Sequence, residues 1–399
     1  MLIEAKANQS GVHRGLYPLA VVFACTGLVG ALWMPLLPLF LTSAVHAGPV
    51  EVSLFLAVSP VMAVTVSTVV ARLSDRSMRR RVVMVAAAGA GAVAMVFFSV
   101  LRSYWPLLLL ALTLLPLAGT LYPQSFAYAR QWLDRWGSRQ SAFVITALRT
   151  LTSMAWVAGP PAAGLLFSLG GFTAIFLSTA ALSAAAGMVV LLRIKEIPRV
   201  APADAGAAAE PGPEETSGAA GRGEFRLTVA GFVLLQCVSV LGVSAMSLHV
   251  THDLHHSVQD SGLVLGLCAA LEIPLMLGAG ALSRRMPLRR LVISGAGCGV
   301  LYFAVASWTS QLWVLGLAQL GNAAFIAAML GLGISYVQDM RPGQPGRATT
   351  AFTNAYPIGS LLASPVLGAA AQFGYRSPYL VATACCGLGT ALLWLARRG

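Results

Sequence analysis

Long apolar segments separated by short polar ones dominate the sequence. A helix that crosses a bilayer needs about 20 mainly apolar residues. Segments of sufficient length occur twelve times, at approximately 17–43, 50–71, 82–101, 104–128, 141–168, 172–192, 227–250, 261–282, 291–307, 311–335, 348–372 and 378–396. The first segment is too long for the apolar core of a cleaved signal peptide, and it continues into Trp33, Pro35 and Pro38. It is therefore predicted to remain as a membrane span.

One polar segment divides this pattern into two sets of six. Residues 193–226 are rich in Ala, Gly, Pro and Glu, which is typical of a flexible linker. We predict an N-terminal six-helix bundle over residues 1–192, a cytoplasmic linker over 193–226 and a C-terminal six-helix bundle over 227–399. The predicted fold class is an all-α membrane protein with twelve transmembrane helices in two pseudo-symmetric bundles.

The two sets of helices repeat each other weakly. ARLSDRSMRRR (71–81) follows the second predicted span, and GALSRRMPLRR (280–290) follows the eighth, at an offset of 209 residues. Gly164 of the fifth span and Gly368 of the eleventh lie in similar strings at an offset of 204. The near-equal offsets indicate a duplicated six-helix unit, a common construction in secondary transporters.

Composition and charge support a membrane protein. Hydrophobic residues make up 57% of the chain and charged residues 10%, with a mean hydropathy of +0.77, which excludes an ordinary soluble protein. The formal net charge of +12 would favour a nucleic-acid binder in a soluble chain. Here 23 of the 26 basic residues fall on one side of the predicted spans, and only Arg102 and Arg376 lie in the opposite loops. The distribution of basic residues therefore predicts the orientation of the spans in the membrane, with both termini cytoplasmic. No nucleic-acid partner is expected.

The cysteines and histidines give no strong indication of a metal or a cofactor. All six cysteines lie in apolar spans without CxxC spacing, so they are predicted to be buried small hydrophobic residues. HVTHDLHH (249–256), at the outer end of the seventh span, has histidines at a spacing suited to zinc on one helical face. The preferred interpretation is a solvated loop that changes charge near pH 6. No cofactor and no metal are expected.

The string ARLSDRSMRRR resembles the signature loop of the major facilitator superfamily, whose pattern is G-x-L-x-D-R-x-G-R-R-R. Asp75, Arg76 and Arg79 match this pattern, whereas Ala71 and Met78 replace its glycines. An acid beside a helix N-terminus, flanked by arginines, suits a latch that holds helix ends in one state. The alternative is a simple basic anchor on the cytoplasmic side.

Gly159, Pro160 and Pro161 in the fifth span resemble the proline-glycine signature of antiporters in this superfamily. A proline inside a helix removes a hydrogen bond, and glycine permits close helix contact. The motif favours efflux over uptake and makes Gly159 and Pro160 candidates for gating. The alternative is ordinary helix packing.

Five further strings are more specific and extend over most of the chain. They are LPLFL (37–41), PQSFAYAR (123–130), ALRTLTSMAWVAGPP (147–161), LEIP (271–274) and QDMRPGQPGRATTAFTN (338–354). Together they are similar to the sugar efflux transporter family of bacterial major facilitator proteins. The resemblance implies proton-coupled export of sugars or glycosides by alternating access across the bacterial inner membrane, with small-molecule sugars and protons as partners. We expect the protein to act as a monomer.

Other functions remain as alternatives. A multidrug or small-metabolite exporter would share the fold but carry another cargo. A transport-inactive sugar sensor would be expected to carry a signalling domain, for which the termini are short. A membrane enzyme is not expected, because no HExxH, GxSxG with histidine or paired intramembrane aspartates are present.

Two strongly charged residues lie deep in predicted spans. Arg149 is 8 residues into the fifth span and Glu272 is 11 into the eighth, which places them roughly 12 Å and 17 Å from opposite membrane faces. A buried charge costs about 2.5–3.5 kcal/mol on insertion scales, so each needs a partner or a wet cavity. The superfamily resemblance implies that these two spans face each other. We predict that Arg149 and Glu272 pair in one state and carry proton coupling; the alternative is a permanent pair that only fixes packing.

Sugar hydroxyls need neutral hydrogen-bonding groups, and a pyranose ring packs well against an aromatic face. The candidates that meet these needs are Trp33, Gln124, Trp156, Gln236, Gln319, Asn322 and Asn354. For each of them the alternative is an interhelical hydrogen bond or packing contact. Asp339, at the cytoplasmic end of the tenth span, is either a second latch residue or a solvated helix end.

Overall fold

The computed structural model describes most of the chain. The described residues are 2–76, 80–135, 141–196, 219–341 and 345–396. Within these ranges, side chains are described from Tyr17 onward, except for Arg149, Ala371 and several residues beside the gaps. The inner and outer ends of the bundle are named here according to the orientation predicted from the basic residues.

Helices make up nearly all of the described residues. In chain order they are α1 (Leu2–Trp33), α2 (Leu37–Ser43), α3 (Pro49–Arg76), α4 (Arg80–Val100), α5 (Tyr104–Leu112), α6 (Leu114–Gly119), α7 (Leu121–Arg135), α8 (Ser141–Arg193), α9 (Ala219–Leu248), α10 (Val258–Leu282), α11 (Leu288–Trp308), α12 (Leu312–Asp339), α13 (Pro345–Phe373) and α14 (Ser377–Leu395). Ten helical stretches in the described ranges are long and apolar enough to cross a membrane. The predicted all-α membrane fold class is confirmed.

Prolines break two predicted spans into shorter helices. A 3₁₀ turn over Met34–Leu36 separates α1 from α2, at Pro35. The predicted span 104–128 becomes α5, α6 and α7, with breaks at Thr113 and Thr120. Pro116 and Pro123 each lack the N–H that would bond the carbonyl four residues earlier, so the helix is weakened just before each proline.

The predicted fifth and sixth spans form one long element, α8, with a sharp break near its middle. Gly170 and Gly171 have non-helical backbone angles, and Gly171 has φ 61°. This left-handed conformation is accessible to glycine without a steric penalty from a Cβ atom. The chain therefore turns at the outer end, where the sequence places a loop between the two spans.

Both ends of helix α9 lie at other positions than those of the predicted span 227–250. It begins at Ala219, within the predicted linker, and its last turn widens into a π-helix over His249–Asp253. Residues 197–218 of the predicted linker lie outside the described residues. A π-helical turn inserts an extra residue, so it changes which side chains face the bundle core.

The outer loops show the internal duplication in detail. His46 and His255, 209 residues apart, both have φ 56°. Two residues later the N–H of Gly48 donates to Glu51 Oε2 at 2.7 Å, and that of Ser257 donates to Asp260 Oδ2 at 3.0 Å. Each carboxylate thus caps the start of the following helix. The shared offset places equivalent turns in both halves.

Each half has its own apolar core. In the second half the six helices α9 to α14 surround one large cluster that includes Phe232, Tyr302 and Phe325. In the first half, separate clusters lie around Phe23 toward the inner end and around Phe40 toward the outer end. Small residues let the helices approach closely, as is usual where lipid offers no hydrophobic driving force.

Gly299→Leu tests the packing of α11 in the second half. A Cβ atom at Gly299 would lie 2.7 Å from the ring of Phe325, so a leucine overpacks the core and should cost about 1–3 kcal/mol. Gly297→Leu is the matched control, because a Cβ atom there meets open space. Thermal unfolding of the purified proteins in detergent should show a lower melting temperature for Gly299→Leu alone. Equal melting temperatures would contradict this packing.

Candidate transport site

A buried chain of polar side chains crosses the second half. Gln319 and Asn322 lie one turn apart on α12, and Asn322 Nδ2 donates to Gln319 Oε1 at 2.9 Å. Gln319 Nε2 donates to the Tyr302 hydroxyl on α11 at 3.1 Å. Asn322 Nδ2 also lies 3.3 Å from Cys268 Sγ on α10. All four side chains are buried, so three helices are joined by hydrogen bonds within an apolar environment.

Glu272 lies next to this polar chain. It follows Cys268 by one helical turn on α10, so both side chains project from the same face of the helix. Its side chain is partly buried. The structure therefore brings three predicted site residues, Gln319, Asn322 and Glu272, to one region of the second half.

Helices α8 and α10 run antiparallel and touch across the two halves. A Cβ atom on Gly164 would lie 2.5 Å from Cα of Gln259, and one on Gly266 would lie 2.9 Å from the carbonyl oxygen of Val157. Between these points, a Cβ atom on Gly262 would clash with the carbonyl oxygen of Pro160. Glycine is thus needed at these positions because the two backbones are in direct contact.

This register bears on the predicted pair of charged residues. The side chain of Arg149 lies outside the described residues, although its backbone belongs to α8. Val157 lies against Gly266. Eight residues inward on α8 is position 149, and eight residues inward on α10 is position 274, two residues from Glu272. These contacts place only the backbones of the two positions at a similar depth, so the pairing of Arg149 with Glu272 stays a prediction.

The predicted gating residues Gly159 and Pro160 lie at close helix contacts. Gly159 is packed against Ala31 of α1, where a Cβ atom would clash. The carbonyl group of Pro160 meets Gly262 on the other half. Both residues are buried. The motif thus supplies close packing inside the first half and across the two halves, and its role in gating stays a prediction.

The sugar-site candidates of the first half lie apart from the polar chain. Gln124 on α7 is buried, and its Oε1 accepts a hydrogen bond from Ser74 Oγ at 3.3 Å. Trp33 packs edge to face against Phe98, with 6.1 Å between ring centroids. Trp156 is partly buried on α8. Gln124 thus joins α3 to α7 by a hydrogen bond, which is the alternative given above to a role in sugar binding.

Three candidates of the second half also lie outside the polar chain. Gln236 is buried on α9 next to Gly359 of α13, where a Cβ atom would lie 2.9 Å from the Gln236 carbonyl carbon. Asn354 is exposed on α13, and Asp339 is exposed at the inner end of α12. The structure does not bring these three side chains to one place.

The acid and first arginines of the signature loop, Asp75, Arg76 and Arg79, lie outside the residues whose side chains are described. The last arginine of the loop, Arg81, is described and caps a helix. Arg81 Nη2 donates to the Leu191 carbonyl oxygen at the end of α8. In the second half, Arg289 Nη2 donates to the Trp394 carbonyl oxygen at 2.5 Å, at the end of α14. An arginine at this place donates hydrogen bonds to the last carbonyl groups of a helix, and its positive charge interacts favourably with the negative end of the helix dipole.

The histidines of the string 249–256 have separate partners. His249 is fully buried, and its Nδ1 lies 2.9 Å from Asp253 Oδ2. His252 stacks on Tyr375, with ring centroids 4.6 Å apart. Among the described residues, no group of three or more His, Cys, Asp or Glu is placed to hold a metal ion. The prediction of a fully solvated loop is wrong for His249, because the π-helical turn directs it into the core.

The two halves are in contact at the outer end. Besides α8 and α10, Gly368 of α13 packs directly on Pro49 and Ser53 of α3. Ser247 Oγ of α9 donates to the Pro35 carbonyl oxygen at 3.0 Å. Toward the inner end, no residue of α3 from position 56 to position 73 is fully buried. The structure is thus closed at the outer end, whereas α3 from position 56 to position 73 is only partly buried or exposed.

Sequence reasoning missed Cys268 and Tyr302 as members of the polar chain. Cys268 was predicted to be a buried small hydrophobic residue, and it is buried but also lies within hydrogen-bonding distance of Asn322. Its position four residues before Glu272 was the available signal. Tyr302 gave no comparable signal, because its contact with Gln319 depends on how α11 packs against α12.

Comparison with known proteins assigns the fold to a family. The family model for the Major Facilitator Superfamily matches residues 19–337 and 227–399. Sugar efflux transporter A of Dickeya chrysanthemi is 32% identical over 378 residues, which cover 94% of each chain. Sugar efflux transporter B of Salmonella typhimurium is 34% identical over 379 residues, covering 92% of this chain and 93% of the relative. The chain belongs to the sugar efflux transporters of the major facilitator superfamily.

Solved structures support the same fold for this sugar efflux transporter family member. The nucleoside transporter NupG has a TM-score of 0.73 and 14% identity, with 96% of this chain and 98% of that chain covered. A bacterial homolog of the human lysosomal transporter Spinster, in an inward-facing and occupied conformation, has a TM-score of 0.71 and 14% identity over 96% of each chain. At this level of identity the likeness shows the major facilitator fold alone.

Gly262→Leu tests the contact at the outer end. The leucine side chain would push α10 away from Pro160 and open this end of the protein. Ser247 is fully buried there, so a cysteine introduced as Ser247→Cys should react faster with a membrane-impermeant maleimide when Gly262→Leu is also present. Mass spectrometry of the labelled peptide measures the rate at position 247.

Gly280→Leu is the matched control on the same helix, because a Cβ atom there meets open space. It should leave the labelling rate at position 247 unchanged. The contact is disproved if each leucine substitution, combined with Ser247→Cys, leaves the labelling rate at position 247 equal to that of the Ser247→Cys protein alone.

Proposed function

We propose that this protein exports sugars or glycosides across the bacterial inner membrane in exchange for protons. The observation that carries the proposal is the buried set of Gln319, Asn322 and Cys268 with Glu272 one turn away. Neutral amides suit sugar hydroxyls, and a carboxylic acid in the membrane suits proton binding. The relatives that are named sugar efflux transporters support a sugar as cargo.

Amides that already bond each other can still bind a substrate. Asn322 and Gln319 together have more donors and acceptors than their mutual bond uses. A sugar hydroxyl that replaces the weak contact from Asn322 to Cys268 would leave no amide group unpaired. The site would then discriminate polyols from apolar cargo, because buried amides without partners are costly.

Glu272 is proposed as the proton-binding group. A charged carboxylate in the membrane is stabilised by a nearby cation, whereas a neutral one is not. If Arg149 faces Glu272, the pair favours the charged acid, and separation of α8 from α10 favours proton uptake. Movement of the two halves would thus be linked to protonation.

Alternating access is proposed as the transport cycle. Contacts between α8 and α10, and between α3 and α13, close the outer end. The inner half of α3 has no fully buried residue between positions 56 and 73, as expected where a cavity opens between the halves. We propose that both termini lie on the inner, cytoplasmic side, and the distribution of basic residues supports this orientation.

The cargo is tested with inside-out membrane vesicles. Acidification of the vesicle interior should drive uptake of labelled lactose or a labelled thiogalactoside, and collapse of the pH gradient should abolish it. Drug-dependent proton movement without uptake of any tested sugar would instead support a multidrug exporter of the same fold.

Glu272→Gln tests the proton-binding role. The amide keeps the size of the side chain and removes its charge change, so uptake driven by a pH gradient should fall to background. Exchange of internal for external sugar needs no net proton movement and should persist. Both are measured in the same vesicle preparation.

The control for this variant is Glu51→Gln, at the outer start of α3. The Glu51 carboxylate accepts a hydrogen bond from the N–H of Gly48, and an amide oxygen can keep that bond. Both activities should be retained in this control. Gradient-driven uptake that survives in Glu272→Gln would contradict the role of Glu272.

A double substitution tests the predicted pair. An unpaired charge at this depth costs about 2.5–3.5 kcal/mol on insertion scales, so Arg149→Gln and Glu272→Gln should each lower the melting temperature. The double variant leaves no unpaired charge and should recover most of the loss. Thermal unfolding in detergent measures this, and additive losses in the double variant would show that the two residues do not interact.

A further inference from the structure

A groove of about 690 Å³ lies at the inner end of the second half, and none of the residues that line it belongs to the candidate transport site. Helices α10 and α11 form its walls, and α12 forms its floor. The two walls are joined at the inner end by the loop 283–287. Its volume lies within the range of about 300–1,000 Å³ that is usual for ligand sites.

The lining of the groove is almost entirely apolar. Seven of its sixteen lining residues are Gly or Ala, and they come from all three helices, namely Gly278, Ala279, Ala281, Gly295, Ala324, Ala327 and Ala328. Among the residues that line it, Ser294 and Cys298 are the polar residues besides two arginines. This surface suits a hydrocarbon chain and offers few hydrogen-bonding groups to a sugar.

Positive charge lies at one end of the groove only. Arg284 and Arg285 line it where α10 ends, and both side chains are exposed. The predicted orientation places this loop at the cytoplasmic surface of the membrane. An apolar channel with two cations at the membrane surface matches a molecule with a hydrocarbon chain and an anionic head group.

We propose that this groove binds an anionic phospholipid of the inner leaflet. One acyl chain lies along α12 between α10 and α11, and the phosphate group lies between Arg284 and Arg285. The proposal concerns a surface separate from the sugar site, so it does not depend on which cargo is transported.

A cleft between α3, α4 and α7 in the first half has a different character. Its volume is about 600 Å³, and Ser67, Thr68, Thr120 and Gln124 are among its lining residues. Its polar lining is unsuited to an acyl chain. The apolar lining therefore distinguishes the groove in the second half from this cleft.

The lipid is tested by native mass spectrometry of the full-length protein purified in detergent. Phosphatidylglycerol and phosphatidylcholine with identical acyl chains are added separately, and the bound fraction is measured against lipid concentration. Phosphatidylglycerol should bind more tightly. Arg284→Gln combined with Arg285→Gln should weaken its binding by roughly thirtyfold, with phosphatidylcholine little affected. Arg290→Gln, which alters an exposed arginine outside the groove, is the control.

The acyl chain is tested by filling the groove. Gly278 lines it, and a Cβ atom there meets open space, so Gly278→Leu occupies the groove without a clash. Gly280→Leu is the matched control, since Gly280 also has open space and does not line the groove. Gly278→Leu alone should weaken phosphatidylglycerol binding. Circular dichroism and gel filtration of each variant verify that it is folded.

Three results would overturn the proposal. Equal affinity for the two phospholipids would show that charge does not select the ligand. Equal effects of Gly278→Leu and Gly280→Leu would show that the acyl chain lies elsewhere. Displacement of the phospholipid by millimolar inorganic phosphate would show an ion site at the arginines alone. Retained lipid selectivity together with failure of all sugar uptake would contradict the transport proposal but leave this one intact.

Discussion

The direct contact between the backbones of α8 and α10 is the constraint on which the arrangement of the two halves depends. At Gly262 a Cβ atom would clash with the Pro160 carbonyl oxygen, and at Gly164 and Gly266 it would meet backbone atoms of the other half. Close contacts of this kind are favourable in lipid because van der Waals packing drives helix association there. They also end abruptly when the helices separate, since dispersion contacts weaken steeply with distance. Such an interface suits two discrete states better than a continuum.

The polar chain of the second half places hydrogen-bonding groups where water is scarce. Gln319, Asn322 and Tyr302 satisfy one another, so they are stable in an apolar bundle without a ligand. Glu272 differs, because a carboxylate at this depth needs a cation, a proton or water. The proposed coupling needs a polar site that is stable in the bundle and one acid whose charge depends on its surroundings. Proton binding and sugar binding would be linked through α10, which carries both Glu272 and Cys268.

Much of the fold follows from the sequence because membrane spans have a simple physical requirement. Apolar length predicted the helices, and the repeat at an offset of 209 residues reappears in the matching turns at His46 and His255. The breaks at Thr113 and Thr120 depend on how single prolines are accommodated, which hydropathy does not encode. Within the candidate site, residue chemistry indicated Gln319, Asn322 and Glu272. It did not indicate Cys268 as a partner of Asn322, because that contact depends on the packing of α10 against α12.

The central claim is that the two halves move about contacts that close one end at a time. The most direct measurement is the distance between spin labels by pulsed electron resonance, with one pair at Val50 and Gln372 across the outer end and another at Leu73 and Thr350 across the inner end. All four positions are exposed in the structure. Lowering the pH or adding sugar should lengthen the outer distance and shorten the inner one together. If both distances stay fixed, or change in the same direction under every condition, the claim is contradicted.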